Sequence, residues 1–317
     1  MHTVLITAIG SVAGLAAKRS LEAAGLRVVG CDIYPRAWNV TATEVAEFFT
    51  APLGTDAQTY CDALLSEALA RGIDAIIPLT DVEVDALSQR KGQFRAAGIT
   101  VCCPDATAAA LCRNKLAMAE SLAFAGLATV IPTYLPSTLP EDVPCPLMLK
   151  PLRGRSSQGQ RVVADRAELA QALALREDYI IQPYLPGDVY TVDCARDAHG
   201  GTVALVRREL LRTGNGLGTA VEICPGHPLA AVCEGILRHA GIVGVVNMEF
   251  IHRDGEFYFL EVNPRFSGGV GFSVLAGYDF PLAMLRCHAG QPLQAMPPLD
   301  PMTLAQRYEM HITRRDA

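Results

Sequence analysis

No run of basic residues occurs in this 317-residue chain, and its formal net charge is −6. A nucleic-acid partner is therefore not expected, because binding to a phosphate backbone rests on clustered Lys and Arg. No apolar stretch approaches the roughly 20 residues that a membrane span needs, so no membrane partner is expected either. Met1-His2 leads straight into an apolar strand pattern, without the charged and apolar regions of an export leader. The ten cysteines form no C-x-x-C and no Cys/His ligand spacing, which removes the usual zinc arrangements. Scattered small thiols of this kind suit a reducing compartment, and a cytoplasmic location is the expectation. There is no internal repeat and no low-complexity tract. What is present is 50% hydrophobic and 19% charged, the balance of a globular enzyme rather than of a disordered chain. The length exceeds what one core usually holds, so two or three domains are expected.

The first hundred residues alternate strand and helix patterns. Thr3–Gly10, Leu26–Tyr34, Ile73–Leu79 and Ile99–Cys103 read as strands. Helical stretches lie between them, one running to Gly25 and one over Asp81–Ala97. This alternation predicts a parallel sheet with helices on its faces. Ala8-x-Gly10-x-x-Ala13, with Asp32 further on, approximates a dinucleotide fingerprint that lacks its first glycine, which counts against NAD. The reading preferred is a tight strand–helix turn that need bind nothing. Thr80-Asp81 ends a parallel strand at its carboxyl edge, where open α/β sheets hold ligands. The reading preferred for Asp81 is a helix N-cap.

The most informative stretch is Phe257–Gly269, FYFLEVNPRFSGG. Glu261 and Asn263 are two apart on a strand and so share a face, with Tyr258, Leu260 and Val262 expected on the other. Pro264 ends the strand and Arg265 follows it. Val245–Ile251 reads as the partner strand, joined through His252-Arg253-Asp254-Gly255. A register in which Glu249 meets Phe259 or Glu261 puts Glu249, Glu261 and Asn263 on one face and the apolar residues on the other. Three hard oxygen ligands suit Mg²⁺, which takes one or two carboxylates and completes its shell with water and substrate phosphates. A plain half-exposed hairpin shares the alternation, but the Asn-Pro-Arg and Ser-Gly-Gly that follow favour a site.

These residues resemble the ATP-grasp superfamily, whose carboxylate–amine ligases carry an acidic or amide residue followed by Glu-x-Asn-Pro-Arg as the metal and phosphate signature. The resemblance extends over most of the chain. It implies an α/β N-terminal parallel-sheet domain of the half-Rossmann, pre-ATP-grasp kind over residues 1–105. A small lid subdomain would follow over 106–182, and a C-terminal α+β ATP-grasp domain with the metal site over 183–317. Lys115 would reach the nucleotide phosphates. Lys150, which closes the apolar strand Leu147–Leu149 before Pro151, would meet them too. The Arg153–Gly159 loop, with Ser156, Ser157 and Gly159, would be a mobile cover over the phosphates, since small residues let backbone N–H groups approach closely.

Further along, Gln182, Pro183, Tyr184 and Leu185 would hold adenine, the Pro183 carbonyl accepting from its amino group and the Leu185 N–H donating to the ring. Gln182 stands where many relatives have Glu. Asp188 is the nearest acid for the ribose hydroxyls, one place earlier than the family pattern. Arg208 would face the reacting carboxylate, with Arg212 on the same face, and Arg265 would join Lys150 in offsetting phosphate charge. The implied cofactors are ATP and Mg²⁺, for which Mn²⁺ can substitute. The implied partners are a small carboxylate, often an amino acid, and an amine, with homodimerisation left open. The implied reaction is ADP-forming C–N ligation through an acyl phosphate. Two other classes remain in view: a MgATP-binding regulatory protein without turnover, and an NAD-dependent oxidoreductase built on the first domain.

Overall fold

The computed structural model describes residues 1–154, 158–174 and 178–313. The chain opens with β1 (Thr3–Ile6), α1 (Val12–Ala23), β2 (Arg27–Asp32), α2 (Val40–Glu44), β3 (Glu47–Thr50), α3 (Ala57–Ala70), β4 (Ala75–Ile77), α4 (Asp81–Ser88), α5 (Lys91–Ala96) and β5 (Thr100–Val101). The five strands form one parallel sheet in the order β3-β2-β1-β4-β5. The helix expected over Asp81–Ala97 is two, interrupted at Gln89-Arg90. Thr80, not Asp81, caps the first of them. Its hydroxyl accepts from the Glu83 N–H while the Glu83 carboxylate accepts from the Thr80 N–H, a reciprocal capping box. Asp81 is thereby left to face another element.

Next come α6 (Ala106–Arg113), α7 (Lys115–Ala125) and β6 (Thr129–Val130). This stretch was expected within the lid, but it packs elsewhere. Strand β6 joins the large sheet, and Ala108, Cys112, Met118 and Leu122 belong to that sheet's core. The lid proper is smaller: β7 (Leu147–Pro151), β8 (Arg161–Val163), α8 (Arg166–Leu173) and β9 (Tyr179–Pro183), with β7 central in a three-stranded sheet. Leu147, Leu149, Val163, Leu169 and Ile181 give it a core of its own.

The remainder builds a seven-stranded sheet in the order β15-β12-β11-β10-β13-β14-β6. Its strands are β10 (Asp188–Arg196), β11 (Thr202–Arg212), β12 (Gly218–Ile223), β13 (Gly244–Arg253), β14 (Glu256–Asn263) and β15 (Met302–Ala305), with α9 (Leu229–His239), α10 (Val270–Ala276) and α11 (Phe280–His288) packed on it. Helix α10 ends at Gly277, which takes a φ of +118°, and α11 starts where the Asp279 side chain accepts from the Leu282 N–H. One face of the sheet closes on α9, α6 and α7. The other shares a continuous core with the first domain: Val4, Ile6 and Ala17 cluster with Ala195, Val203, Leu205, Phe266 and Phe280. Ser20 donates to Asp279 across the same seam at 2.6 Å. No helix among the described residues is long and apolar enough to cross a membrane.

Candidate active site

Where the parallel sheet, the lid and the large sheet meet lies a cleft of about 510 Å³. The hairpin of β13 and β14 forms its floor. Glu249 lies directly opposite Glu261, and Asn247 opposite Asn263. The register expected from alternation is therefore present up to Glu261. Beyond it a bulge intervenes, since Phe250 pairs with Phe259 and leaves Leu260 without an opposite residue. The extra residue flips the parity of the strand. Phe259 and Val262, rather than Tyr258 and Leu260, face the core, with Phe259 edge-on to Phe250 at 5.7 Å. Leu260 lines the cleft instead.

Like charges directly opposite each other on a ladder repel, and each carboxylate has its own cation. Lys115 Nζ lies 3.1 Å from Glu261 Oε2. Arg212 Nη2 lies 2.9 Å from Glu249 Oε2. Burial pushes the Glu249 carboxyl above the usual range, with Glu261 adding to it against the opposing pull of Arg212. Burial acts on Glu261 too, but Lys115 and Lys150 outweigh it and hold that carboxyl below the usual range. Lys150, next to last in β7, stands in the cleft wall and is buried. Its pKa is lowered, first by burial and then by Lys115, against the pull of Glu261 and Glu249. Asn263 Nδ2 donates to Asn247 Oδ1 at 3.1 Å, and Asn247 Nδ2 donates to the Arg265 carbonyl at 3.0 Å. These bonds fix the turn after β14. Asn247 escaped the sequence reading, although its place two residues before Glu249 marks the same face.

Arg265 does reach the cleft, but as half of an ion pair. Its Nε and Nη2 donate to the two Asp81 oxygens at 3.0 and 3.1 Å. This fork joins the first domain to the hairpin, which is why the Asp81 carboxylate does not act as a cap. Arg113 Nη1 lies 3.8 Å from the same carboxylate and donates to the Gly154 carbonyl at 3.0 Å, tying the start of the 152–159 loop to this junction. Ser156 and Ser157 lie outside the described residues. Gly159, with a φ of +73°, accepts from the Tyr179 hydroxyl, and its neighbours Gln158 and Gln160 line the cleft.

Arg208 is not in the cleft, a correction to the expectation. It pairs with Glu222 at 2.8 Å on a part-exposed surface. The ladder shows why. Glu261, Glu249, Thr191 and Arg207 stand in one row across β14, β13, β10 and β11, whereas Arg208 stands opposite Tyr190 and Phe250 in the next row. Arg207 is thus the arginine on the site face. Irregularities after Glu209 then undo simple alternation, and Arg212 returns to the cleft without Arg208. Asp188, expected at the ribose, is exposed and lies 3.8 Å from Arg208.

In the expected adenine segment, Pro183 is opposite Leu147, and the Tyr184 N–H donates to the Pro146 carbonyl at 3.0 Å. Gln182 is buried, its Nε2 donating to Thr133 Oγ1 at 2.8 Å while its Oε1 has no partner. Leu185 is part-exposed at the end of this segment. Nearby the cleft wall turns apolar, with Met148, Val189, Ile251 and Leu260. None of these was expected in the cleft, because an apolar residue lining a site has the same sequence signature as one in a core.

The same arrangement of sheets occurs in proteins of known structure. Over 92% of this chain and 72% of that one, the fold matches the biotin carboxylase of Campylobacter jejuni with a TM-score of 0.75 at 18% identity. It matches the biotin carboxylase domain of Hydrogenobacter thermophilus 2-oxoglutarate carboxylase equally well, at 0.75 and 18%, over 92% of this chain and 70% of the other, in a structure holding MgADP and bicarbonate. Residues 176–310 match a family model described as ATP-grasp in the biosynthetic pathway with Ter operon. The stretch 176–310 is thus similar to an ATP-grasp domain. Among curated relatives, the carbamoyl phosphate synthase large chain of Clostridium perfringens is 28% identical over 164 residues. That of Clostridium beijerinckii is 30% identical over 141. The matched stretch is 47% of this chain but only 15% of the first of these relatives.

Among the described residues no group of three His, Cys, Asp or Glu is placed to hold a metal. The cleft offers two facing carboxylates and the amide of Asn263. Such a set suits Mg²⁺ sharing its shell with phosphate oxygens, and does not suit a closed all-protein cage.

Proposed function

We propose that the protein is an ATP-dependent, ADP-forming ligase that joins a small carboxylate to an amine through an acyl phosphate. The observation that carries this reading is the crossing of charges in one cleft. Facing carboxylates, Glu249 and Glu261, sit beside the two lysines Lys115 and Lys150 at the junction of three domains. Two cations in a part-buried cleft suit a polyphosphate, and two carboxylates suit the divalent ion that accompanies it. The apolar wall of Met148, Val189, Ile251 and Leu260 suits the adenine base, with the 182–185 segment along its edge.

In this reading Lys115 and Lys150 bind the phosphates, and Glu249, Glu261 and Asn263 hold Mg²⁺. When bound, the ion neutralises charge that develops on the phosphate oxygens. Arg265, oriented by Asp81, adds positive potential at the transferring group. A substrate carboxylate oxygen attacks the γ-phosphorus and ADP leaves. The amine nitrogen then attacks the acyl carbon, phosphate leaves, and the nitrogen loses a proton. The protein positions and stabilises, and needs no nucleophile of its own.

Nucleotide products separate this from adenylation. With MgATP and a panel of small acids (bicarbonate included) and amines, chromatography is expected to show ADP and phosphate. AMP and pyrophosphate would refute the acyl-phosphate route. MgATP binding with no turnover across the panel would favour the regulatory reading.

A further inference from the structure

Beyond the phosphate-binding residues, the cleft continues past Ser11–Ala13, Thr80, Leu217–Gly218 and Ser267–Gly269. Its wall there contains Arg207 and Glu209, whose side chains are only 2% and 3% exposed. Arg207 Nη1 donates to Asp193 Oδ2 at 2.5 Å, its Nε to Glu209 Oε1 at 3.2 Å and its Nη2 to Ser267 Oγ at 2.8 Å. Ser273 donates to the same Asp193 oxygen at 2.6 Å. One guanidinium therefore serves two carboxylates. Glu209 Oε2 and Asp193 Oδ1 are buried without any partner. A buried charge that is neither paired nor hydrogen-bonded is costly, and the cost persists until something supplies a donor.

Of the two orphan oxygens, the one on Glu209 belongs to a residue of the cleft wall. It lies against Gly218, so close that a Cβ there would sit 1.9 Å from it. Glycine at 218 is what permits this approach. A donor in the cleft would reach Oε2 by a turn of the carboxylate off Gly218.

We propose that Glu209 is a specificity residue that binds a substrate ammonium group, so that one of the two reactants is a primary amine presented in cationic form, as in an amino acid. An ammonium brings one positive charge and three N–H donors. It thus offsets the excess negative charge of the Asp193–Arg207–Glu209 cluster and satisfies the orphan oxygen in one contact. A divalent ion would find a single free carboxylate oxygen here with a guanidinium beside it, a poor donor set. The inference rests on the ligase reading for the nature of the second substrate.

The test uses the full chain with Mg²⁺ and the non-hydrolysable analogue AMP-PNP. Calorimetry would measure binding of the standard amino acids, each beside its N-acetyl and deamino counterpart, to wild type and to Glu209→Gln. At least one amino acid is expected to bind. Its N-acetyl and deamino forms are expected to bind at least about 10-fold more weakly, and Glu209→Gln to weaken the parent by about 10- to 100-fold, the range of a lost charge-assisted hydrogen bond. Affinity for AMP-PNP should not change. Equal binding of parent and N-acetyl forms, an unchanged affinity in Glu209→Gln, or no binding by any ammonium-bearing compound would overturn the proposal. If the variant does not fold, the analogue series on wild type decides alone. ADP release judges the ligase reading separately. Ammonium-dependent binding without ADP would sustain the Glu209 site and refute ligation. ADP release with acids and amines that bind equally well after N-acetylation would do the reverse.

Discussion

Replacing Glu261 with alanine removes a candidate metal ligand and the partner of Lys115 in one step, and the two consequences have different sizes. At 3.1 Å and an effective dielectric of about 20, the Lys115–Glu261 attraction is about 5 kcal/mol gross. The Glu261 side chain is 24% exposed, so solvent takes up part of that loss. Relief of the Glu249–Glu261 repulsion offsets more. The net destabilisation is expected to be about 1–2 kcal/mol, below the range of about 3–5 for breaking a fully buried pair. Melting curves and urea midpoints should therefore move modestly. Turnover should fall much further, by about 10²–10³, as is typical when charge stabilisation at a transferring group is lost. Asn263→Ala should share the loss of turnover. One further effect separates a metal ligand from a general structural role. Without Mg²⁺, Glu261→Ala should bind ATP as tightly as wild type or more tightly, because Lys115 and Lys150 no longer face a competing carboxylate. With Mg²⁺ that advantage should vanish. Steady-state ADP release over a Mg²⁺ series, with calorimetric ATP binding in EDTA, makes both measurements. Turnover within a few-fold of wild type with unchanged Mg²⁺ dependence in both variants would refute the metal assignment.

Arg207→Ala should destabilise by about 3–5 kcal/mol, since it leaves the Asp193 and Glu209 carboxylates buried without a cation; Arg208→Ala, whose side chain is 38% exposed, should change urea stability little, and equal effects would refute the face assignment. His288, packed against Gly244 near Lys91 and Asp105, has its pKa lowered to about 3, first by burial. Below its ordinary value the unfolded chain binds the proton that the folded one does not. Stability should therefore fall as pH drops from about 6.5 towards 3, by up to about 1.4 kcal/mol per unit. His288→Gln should flatten that slope in urea midpoints taken between pH 7 and 4.5, and an unchanged slope would remove His288 from the account. NAD and NADP should not bind usefully, because Ala8 stands where the fingerprint has its first glycine, at a φ of +43°, and Asp32 already accepts the Gly10 and Tyr34 N–H groups; micromolar affinity by calorimetry would reopen the oxidoreductase class.

Much of this fold is local in origin and was readable as such. Strand–helix alternation defines the first sheet, and the chain order of its elements follows the period of the apolar residues. The pairing of Glu249 with Glu261 was legible, because a one-residue slip would have sent Glu249 into the core while exposing Val246 and Met248. Lys115 and Lys150 carried signals tied to position, one at a helix start and one near the end of an apolar strand; Lys150 lines the cleft and Lys115 pairs with Glu261 beside it. The errors fall where alternation alone was used to choose a face. In β11 two adjacent arginines differ only in parity, and the row that contains Glu249 is defined by β10, which lies between them in space. No count along β11 reveals it. Bulges at Leu260 and after Glu209 compound the problem, since each shifts parity by a contact made with another strand.

The sequence by itself determined which residues can carry charge near the end of a strand, which segments alternate, and that Glu261 and Asn263 share a face. Those properties depend on bonds and dihedrals within a few residues. Only the tertiary structure decided that Asp81 orients Arg265 from 184 positions away, that Arg207 rather than Arg208 faces the cleft, and that Glu209 is buried with an oxygen to spare. Pairing between strands and packing between domains set these outcomes, and they depend on distances that no spacing along the chain encodes.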